Sequence, residues 1–469
     1  MHFILNRAVK LRYIYSASVV VETPDLTILS DPWFTPAEYG SWYHYPPLPN
    51  DPVEIIGKVD LIYISHLHSD HYDPIFLNKY LNKYPETKII ISETKHKMLE
   101  HRMKLDGFDP LVISNKIFGN TKIILTVNGD DEIEGDTGCL IVYDNLSIAN
   151  MNDCGIDQNQ IDIIKQNCPN GYPTVALLTY AGAGPYPQTY HFENSEERKT
   201  AEQKKHDQFL KMYSDYCELL NPTKAMPFAG SYVLGGPLSK LNPYRGVADA
   251  TEVLQLEKCG DISFVLDDGG DAVFDLKTLT GNKLRTKPYS YEEIQNYLDS
   301  VPFEGYNYEK EFLPIGDKPI PLKRLCDNAY KKLIKQRPTK ESWWICFKPT
   351  NHKHFLVFNT SKDEGVTELE NVENLEPRWE IHLDERLLFL ILSGYYHWAN
   401  AEGGSHLSSK RIPNVFLSEI QTFSLFSCSL INPTTFSIIL YFPSPSIILI
   451  FFCDILSKSL TFIFKKNFL

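Results

Sequence analysis

The sequence predicts an α/β fold built on mixed sheets, and three observations carry that prediction. Apolar runs of strand length alternate with segments of helical period; the chain opens on a hairpin pattern; one buried-strand run passes through a loop into a well-marked helix start. LRYIYSASVVVETPDLTILSDPWF (11–34) alternates, then condenses into β-branched and aromatic runs around the turn signal TPD, as a strand pair at the start of a sheet does. After a loop rich in proline and aromatics comes VDLIYIS (59–65), compatible with a strand covered on both faces. The following helix is announced by Asp73 as N-cap and Pro74 at its first position, with Phe76, Tyr80 and Tyr84 four residues apart and Leu77 and Leu81 beside them. KIIIS (88–92), KIILTV (122–127), CLIVYDNLSIANM (139–151) and TVALLTY (174–180) read as further strands, and 195–220 as a helix.

Beyond residue 245 the pattern changes. Helical segments near 289–314 and 321–336, strands at 342–349 and 353–360, and a buried helix at 384–398 suggest a second, α+β domain over 246–416, a lid or a subunit contact, after a first domain over 1–245. Residues 417–469 are different again: after Glu419 no charged residue appears until Asp454. This apolar tail reads either as a membrane anchor, since it approaches the roughly 20 residues a span needs, or as the product of a shifted reading frame. Pro443 and Pro445 divide it into two shorter pieces.

The chain has 469 residues and a net charge of -13, which argues against nucleic-acid binding, since phosphate neutralisation needs a basic surface. Its nine cysteines show no CxxC spacing and point to reduced thiols in a cytoplasmic protein. Asn6, Arg7, Lys10 and Arg12 break up any signal-peptide core at the N-terminus.

The densest chemistry is SHLHSDH (65–71). His66 and His68, one residue apart, can reach the same side of an extended segment, and Asp70 with His71 supplies a second pair as the chain turns into the helix. Histidines and carboxylates together are common ligands of zinc, iron and manganese. A loop between strand and helix, at the edge of a sheet, is where α/β proteins commonly bind ligands.

This HxHxDH after a buried strand, preceded by a hairpin ending in SDPWF, resembles the metallo-β-lactamase superfamily, and within it the metal domain of the CMP-N-acetylneuraminate and UDP-N-acetylmuramate hydroxylases. The matching stretches are DPWFTPAEYGSWYHYPP, DLIYISHLHSDHYDP, DTGCLIVYDNLSIANMNDC, AGAGPYPQTY and PFAGSYV, with a weaker match over 379–416. The likeness stops near Phe416, which favours the reading-frame explanation of the tail.

The resemblance implies an αββα sandwich, one or two divalent metal ions (Fe or Zn), and Asp153 as a bridging carboxylate. It also exposes departures. The superfamily's next histidine falls near NGDDEIEGDTG, where Asp130, Asp131 and Glu132 are the candidate donors instead; another falls after PFAGSYV, where Gly235 and Gly236 stand. His66, His68 and Asp153 then form a two-histidine, one-carboxylate face of the kind associated with non-haem Fe(II) oxygen chemistry. Hydroxylases of this family resemble fusions with a Rieske domain, and no CxH or CxxH pair occurs in this sequence, so a separate Rieske or ferredoxin donor is expected.

The substrate expected from the resemblance is a small anionic amino-sugar or nucleotide-sugar, with Lys240 and Arg245 in PFAGSYVLGGPLSKLNPYR as candidate contacts. A stand-alone hydrolase, with Asp70 or Asp153 orienting a metal-activated water, remains open. So do a lipid phosphodiesterase of the N-acylphosphatidylethanolamine type and a non-catalytic binding module. His191 and His206 read as solvated, and the cluster His397, Glu402 and His406 reads as part of a capped aromatic helix.

Overall fold

In the computed structural model the described residues are 8–129, 135–312, 320–336, 339–417 and 420. Asp131 and nearly all of the apolar tail, with both readings of it, lie outside them. Two sheets face each other. The first has eight strands in the order Thr280–Gly281, Ala272–Asp275, Lys10–Tyr15, Ser18–Glu22, Thr27–Ser30, Leu61–Tyr63, Lys88–Ser92 and Leu111–Ile113. The second has six: Lys224–Phe228, Val175–Thr179, Leu146–Asn150, Thr137–Tyr143, Thr121–Val127 and Asn115–Phe118.

Strand alternation decides which side chain meets which layer. Tyr63 and Ile90 of the first sheet share a buried cluster with Ile123, Ile141, Leu177 and Met226 of the second, which is the core between the sheets. On the outer face of the first sheet, Ile62, Ile89 and Ile91 pack on Phe76, Leu77 and Tyr80 of the helix Pro74–Lys83. On the outer face of the second, Ala176 and Leu178 pack on Leu210, Tyr213 and Cys217 of the helix Ser195–Leu220. Helix, sheet, sheet, helix is the αββα sandwich the motifs imply.

Two sequence expectations change. The opening strand pair is a three-stranded meander, because the chain turns at Ser16 (φ 47°) as well as around Thr23-Pro24-Asp25. The boundary expected at 245 cuts through the first sheet: Ala272–Asp275 pairs antiparallel with residues 10–13, so 246–281 stays with the sandwich. Past it, a five-stranded sheet (Thr367–Leu369, Phe355–Asn359, Trp344–Pro349, Arg378–Leu383, Ser408–Ile412) packs with the helices Leu322–Gln336 and Glu385–Leu392 around a core of its own. No helix among the described residues is long and apolar enough to cross a membrane.

Asp73 ties the metal-site loop to the sheet in front of it. One carboxylate oxygen caps the helix at Phe76 N (2.9 Å), and the other accepts from Phe34 N (2.9 Å) and Thr35 N (2.8 Å). Asp73→Ala strips three backbone donors of their partner and is expected to cost about 2–4 kcal/mol. Denaturant unfolding measures it; a loss under about 0.5 kcal/mol, the size of an ordinary surface change, contradicts this role.

Candidate metal centre

Asp31 follows the strand Thr27–Ser30, whose parallel neighbour Leu61–Tyr63 leads into the histidine loop. Pairing of Ser30 with Tyr63 brings the fully buried Asp31 against Ser65. Asp31 Oδ1 accepts from Ser65 N at 2.7 Å, and Oδ2 accepts from Ser65 Oγ at 2.7 Å and from His71 Nδ1 at 3.0 Å. With its hydroxyl proton committed to Asp31, Ser65 Oγ accepts from His66 Nδ1 at 2.9 Å. Both histidines therefore carry their proton on Nδ1 and turn Nε2 toward the site, as carboxylate-backed metal ligands do.

Asp153 arrives from the other sheet. Beyond Leu146–Asn150 the chain turns through Asn152 (φ 41°), whose Oδ1 accepts from Asp153 N and whose Nδ2 donates to Thr137 O. Thr137 Oγ1 donates to Ser65 O at 2.7 Å, tying this turn to the histidine loop across the sandwich. His66, His68 and Asp153 each offer one ligand atom within 4.8 Å of the other two. His71 Nε2 lies 3.3 Å from Asp153 Oδ1 and 3.5 Å from Asp70 Oδ2. The five residues singled out around the HxHxDH loop and after the third strand of the second sheet thus come together.

The charges suit a cation. Burial and the neighbouring charge of His71 lower the His66 pKa, which favours the neutral ligand form. Burial opposes ionisation of Asp70 and Asp153, yet the neighbouring charge of His71 holds both carboxyls below the usual range. For His71 the opposing burial is outweighed by Asp153, Asp70 and Asp31, which raise its pKa. His71 Nε2 and Asp153 Oδ1 are buried and satisfied by no hydrogen bond. An unsatisfied histidine nitrogen and carboxylate oxygen buried side by side, with His66 and His68 within reach of the same carboxylate, fit a divalent metal.

Several residues escaped the sequence reading. Asp31 was visible only as part of SDPWF. Asp136, in the same loop, lies 4.0 Å from His66 Nδ1, while Asp130, Asp131 and Glu132 lie outside the described residues. Glu38 is buried beside the histidine loop: its Oε1 accepts from Ser69 Oγ (2.8 Å) and from Asn400 Nδ2 (3.2 Å). Burial and the charge of Asp70 push its carboxyl up to about 8.

Other expected positions resolve differently. Lys240 is exposed, whereas Arg245 is buried, with Nη1 donating to Tyr232 O. Gly235 and Gly236 pack under Tyr43 and Phe303, where a side chain on either would collide, so they bring no donor. His206, expected in solvent, is half-buried and bonded to Glu252 Oε2 at 2.9 Å. His406 contacts Glu38 O through Nε2 at 2.9 Å, and His397 caps Trp398–Gly403.

Residues 10–167 match the beta-lactamase superfamily domain. The matched stretch contains six strands of the first sheet, four of the second, the histidine loop and Asp153. Among relatives, a protein of Mycolicibacterium smegmatis named for a Rieske 2Fe-2S iron–sulfur centre is 28% identical over 226 residues, 46% of this chain and 42% of that protein. Cytidine monophosphate-N-acetylneuraminic acid hydroxylase of Macaca mulatta is 26% identical over 318 residues, 64% of this chain and 51% of the hydroxylase. The chain thus spans about half the length, or less, of these relatives. Among solved structures, a metallo hydrolase of Ignicoccus hospitalis aligns over 57% of this chain and 98% of its own at 20% identity and a TM-score of 0.39. Residues 10–167 are thus similar to the beta-lactamase superfamily domain, and the chain to part of these longer relatives.

Asp31→Asn keeps the side chain's shape and tolerates the positive φ of 40° at this position. It removes the carboxylate behind His71 and Ser65. Metal affinity, read by competition with a chromophoric chelator, is expected to fall about 10–100-fold; unchanged affinity contradicts the orienting role.

Proposed function

We propose that this chain is the metal-binding part of a hydroxylase acting on an anionic amino-sugar carried on a nucleotide. The observation that carries this reading is the extent of the likeness. Similarity to the macaque hydroxylase runs over 318 residues, well past the superfamily domain at 10–167, so more than the scaffold is shared. In this reading His66, His68 and Asp153 hold the metal, with His71 and Asp70 beside it and Asp136 behind His66.

A metal with two histidines, a carboxylate and open positions supplies redox chemistry toward oxygen. The chain's own residues prepare for it. Asp31 and Ser65 fix the tautomers of His66 and His71, and the Thr137 bridge holds the loops of the two sheets in register. Asp70, kept ionised beside His71, is available to take a proton from a substrate hydroxyl or from water. The 469 residues contain no CxH or CxxH pair, so the Rieske-type donor of this reading lies outside them.

Isotopic labelling tests the reading. The iron-loaded protein is mixed with CMP-N-acetylneuraminate, labelled oxygen gas and an excess of a chemical reductant, which supplies the two electrons needed to insert one oxygen atom and reduce the other to water. A product carrying one labelled oxygen atom is expected. A cleaved product whose new oxygen comes from water, formed without reductant, would instead identify a hydrolase.

A further inference from the structure

Arg245 is 4% exposed. Its Nη1 donates to Tyr232 O at 2.6 Å, and its guanidinium carbon lies 3.7 Å from the centre of the Tyr232 ring. Nε and Nη2 are buried and have no hydrogen-bond partner. These two N–H groups form one edge of the guanidinium, the fork that takes a carboxylate or phosphate side-on through two parallel hydrogen bonds. Two other arginines with buried side chains pair with carboxylates, Arg285 with Asp249 at 2.9 Å and Arg378 with Glu380 at 2.8 Å, while buried Arg411 bonds Tyr190 Oη and Val415 O. Among the described residues Arg245 has no such carboxylate. A buried cation with an open fork is costly unless something binds it.

A second cation stands nearby. Lys205, on the helix Ser195–Leu220, donates from Nζ to Tyr186 O at 2.9 Å and forms no ion pair among the described residues. Burial, and then the charge of Arg245, push its ammonium down to about 7. The helix is pressed close here: at Gly246 (φ +60°) a Cβ would come within 2.6 Å of Glu202 O, so glycine is needed for this approach.

The location is that of a ligand site. Leu146–Asn150, Val175–Thr179 and Lys224–Phe228 run parallel. Asp153 lies just past the end of the first, Tyr186 past the second and Tyr232 past the third, on the sheet edge where α/β folds bind ligands. Tyr232 carries Arg245 on one face and stacks on Trp42 at 3.6 Å through the other. Trp42 in turn donates from Nε1 to Gly403 O at 3.1 Å, on the helix whose Asn400 donates to Glu38 beside the histidine loop.

We infer that Arg245 and Lys205 form an oxyanion subsite beside the metal centre, which takes the carboxylate or phosphoryl group of the substrate. The inference rests on the anionic substrate proposed above and replaces Lys240 with Lys205 as the partner of Arg245.

Calorimetric titration of the full chain tests it with three probes: inorganic phosphate, cytidine monophosphate and N-acetylneuraminate. Measurements on chelator-stripped protein involve no turnover, so a failed hydroxylation assay leaves this test intact. Wild-type protein is expected to bind, through the phosphoryl group if phosphate and cytidine monophosphate respond, through the carboxylate if N-acetylneuraminate does. Lys205→Met and Arg245→Lys are each expected to weaken that binding about 10–100-fold, the size of a lost charge-assisted hydrogen bond. Should Arg245→Lys fail to fold, the less buried Lys205→Met decides. No binding of any probe by the wild type, or unchanged affinity in folded Lys205→Met, overturns the subsite and leaves Arg245 a structural cation.

Discussion

The hydrogen bonds that converge on the Asp31 carboxylate hold the histidine loop in place, and the remaining geometry of the site follows from them. Asp31 is at the end of one parallel strand and the loop at the end of the next, so the carboxylate joins two adjacent strand ends. It accepts a hydrogen bond from the Ser65 hydroxyl, which leaves Ser65 Oγ to accept from His66 Nδ1, and it accepts directly from His71 Nδ1. Both imidazoles then face Asp153 with Nε2. A buried charge deprived of its partner costs about 3–5 kcal/mol, so this joint is stiff.

The second unit grips the same loop from the far side. Glu38 connects Ser69, between two residues of the histidine motif, to Asn400, while Trp42 Nε1 donates to Gly403 O at 3.1 Å and Tyr39 stacks on Tyr396 at 3.8 Å. Residues 189–191, beyond the second parallel strand, exchange backbone hydrogen bonds with Ser409 at the edge of the second sheet domain. Loops from both sheets of the sandwich are therefore braced by residues some two hundred or more positions further along the chain. This bracing gives the C-terminal unit a physical part in the site, and it accords with a likeness to the hydroxylases that extends past the superfamily domain.

Local signals in the sequence were reliable where the structure is local. Asp73 and Pro74 start their helix as read, the helix 195–220 has the predicted bounds, and the histidine loop sits between strand and helix. Asp153 enters the sequence reading only through the family likeness, because nothing around NMNDC sets it apart. What stayed hidden depends on distant pairing. The strand Ala272–Asp275 is short, and its membership in the first sheet comes from residues 10–13, so composition placed the boundary too early. Asp31, Asp136 and Lys205 are ordinary charged residues in sequence; only the packing of two sheets and a helix gives them partners. Lys240 is a neighbour of Arg245 in the chain, whereas Lys205 is carried on the helix Ser195–Leu220 and feels the charge of Arg245 from there.

The central claim is that His66, His68 and Asp153 hold a metal, and elemental analysis of the purified protein tests it most directly. The account predicts near-stoichiometric iron or zinc in the wild type, lost in His66→Ala/His68→Ala protein that remains folded. Metal-free wild type after saturation with either ion, or metal retained at full stoichiometry in the double variant, would contradict it.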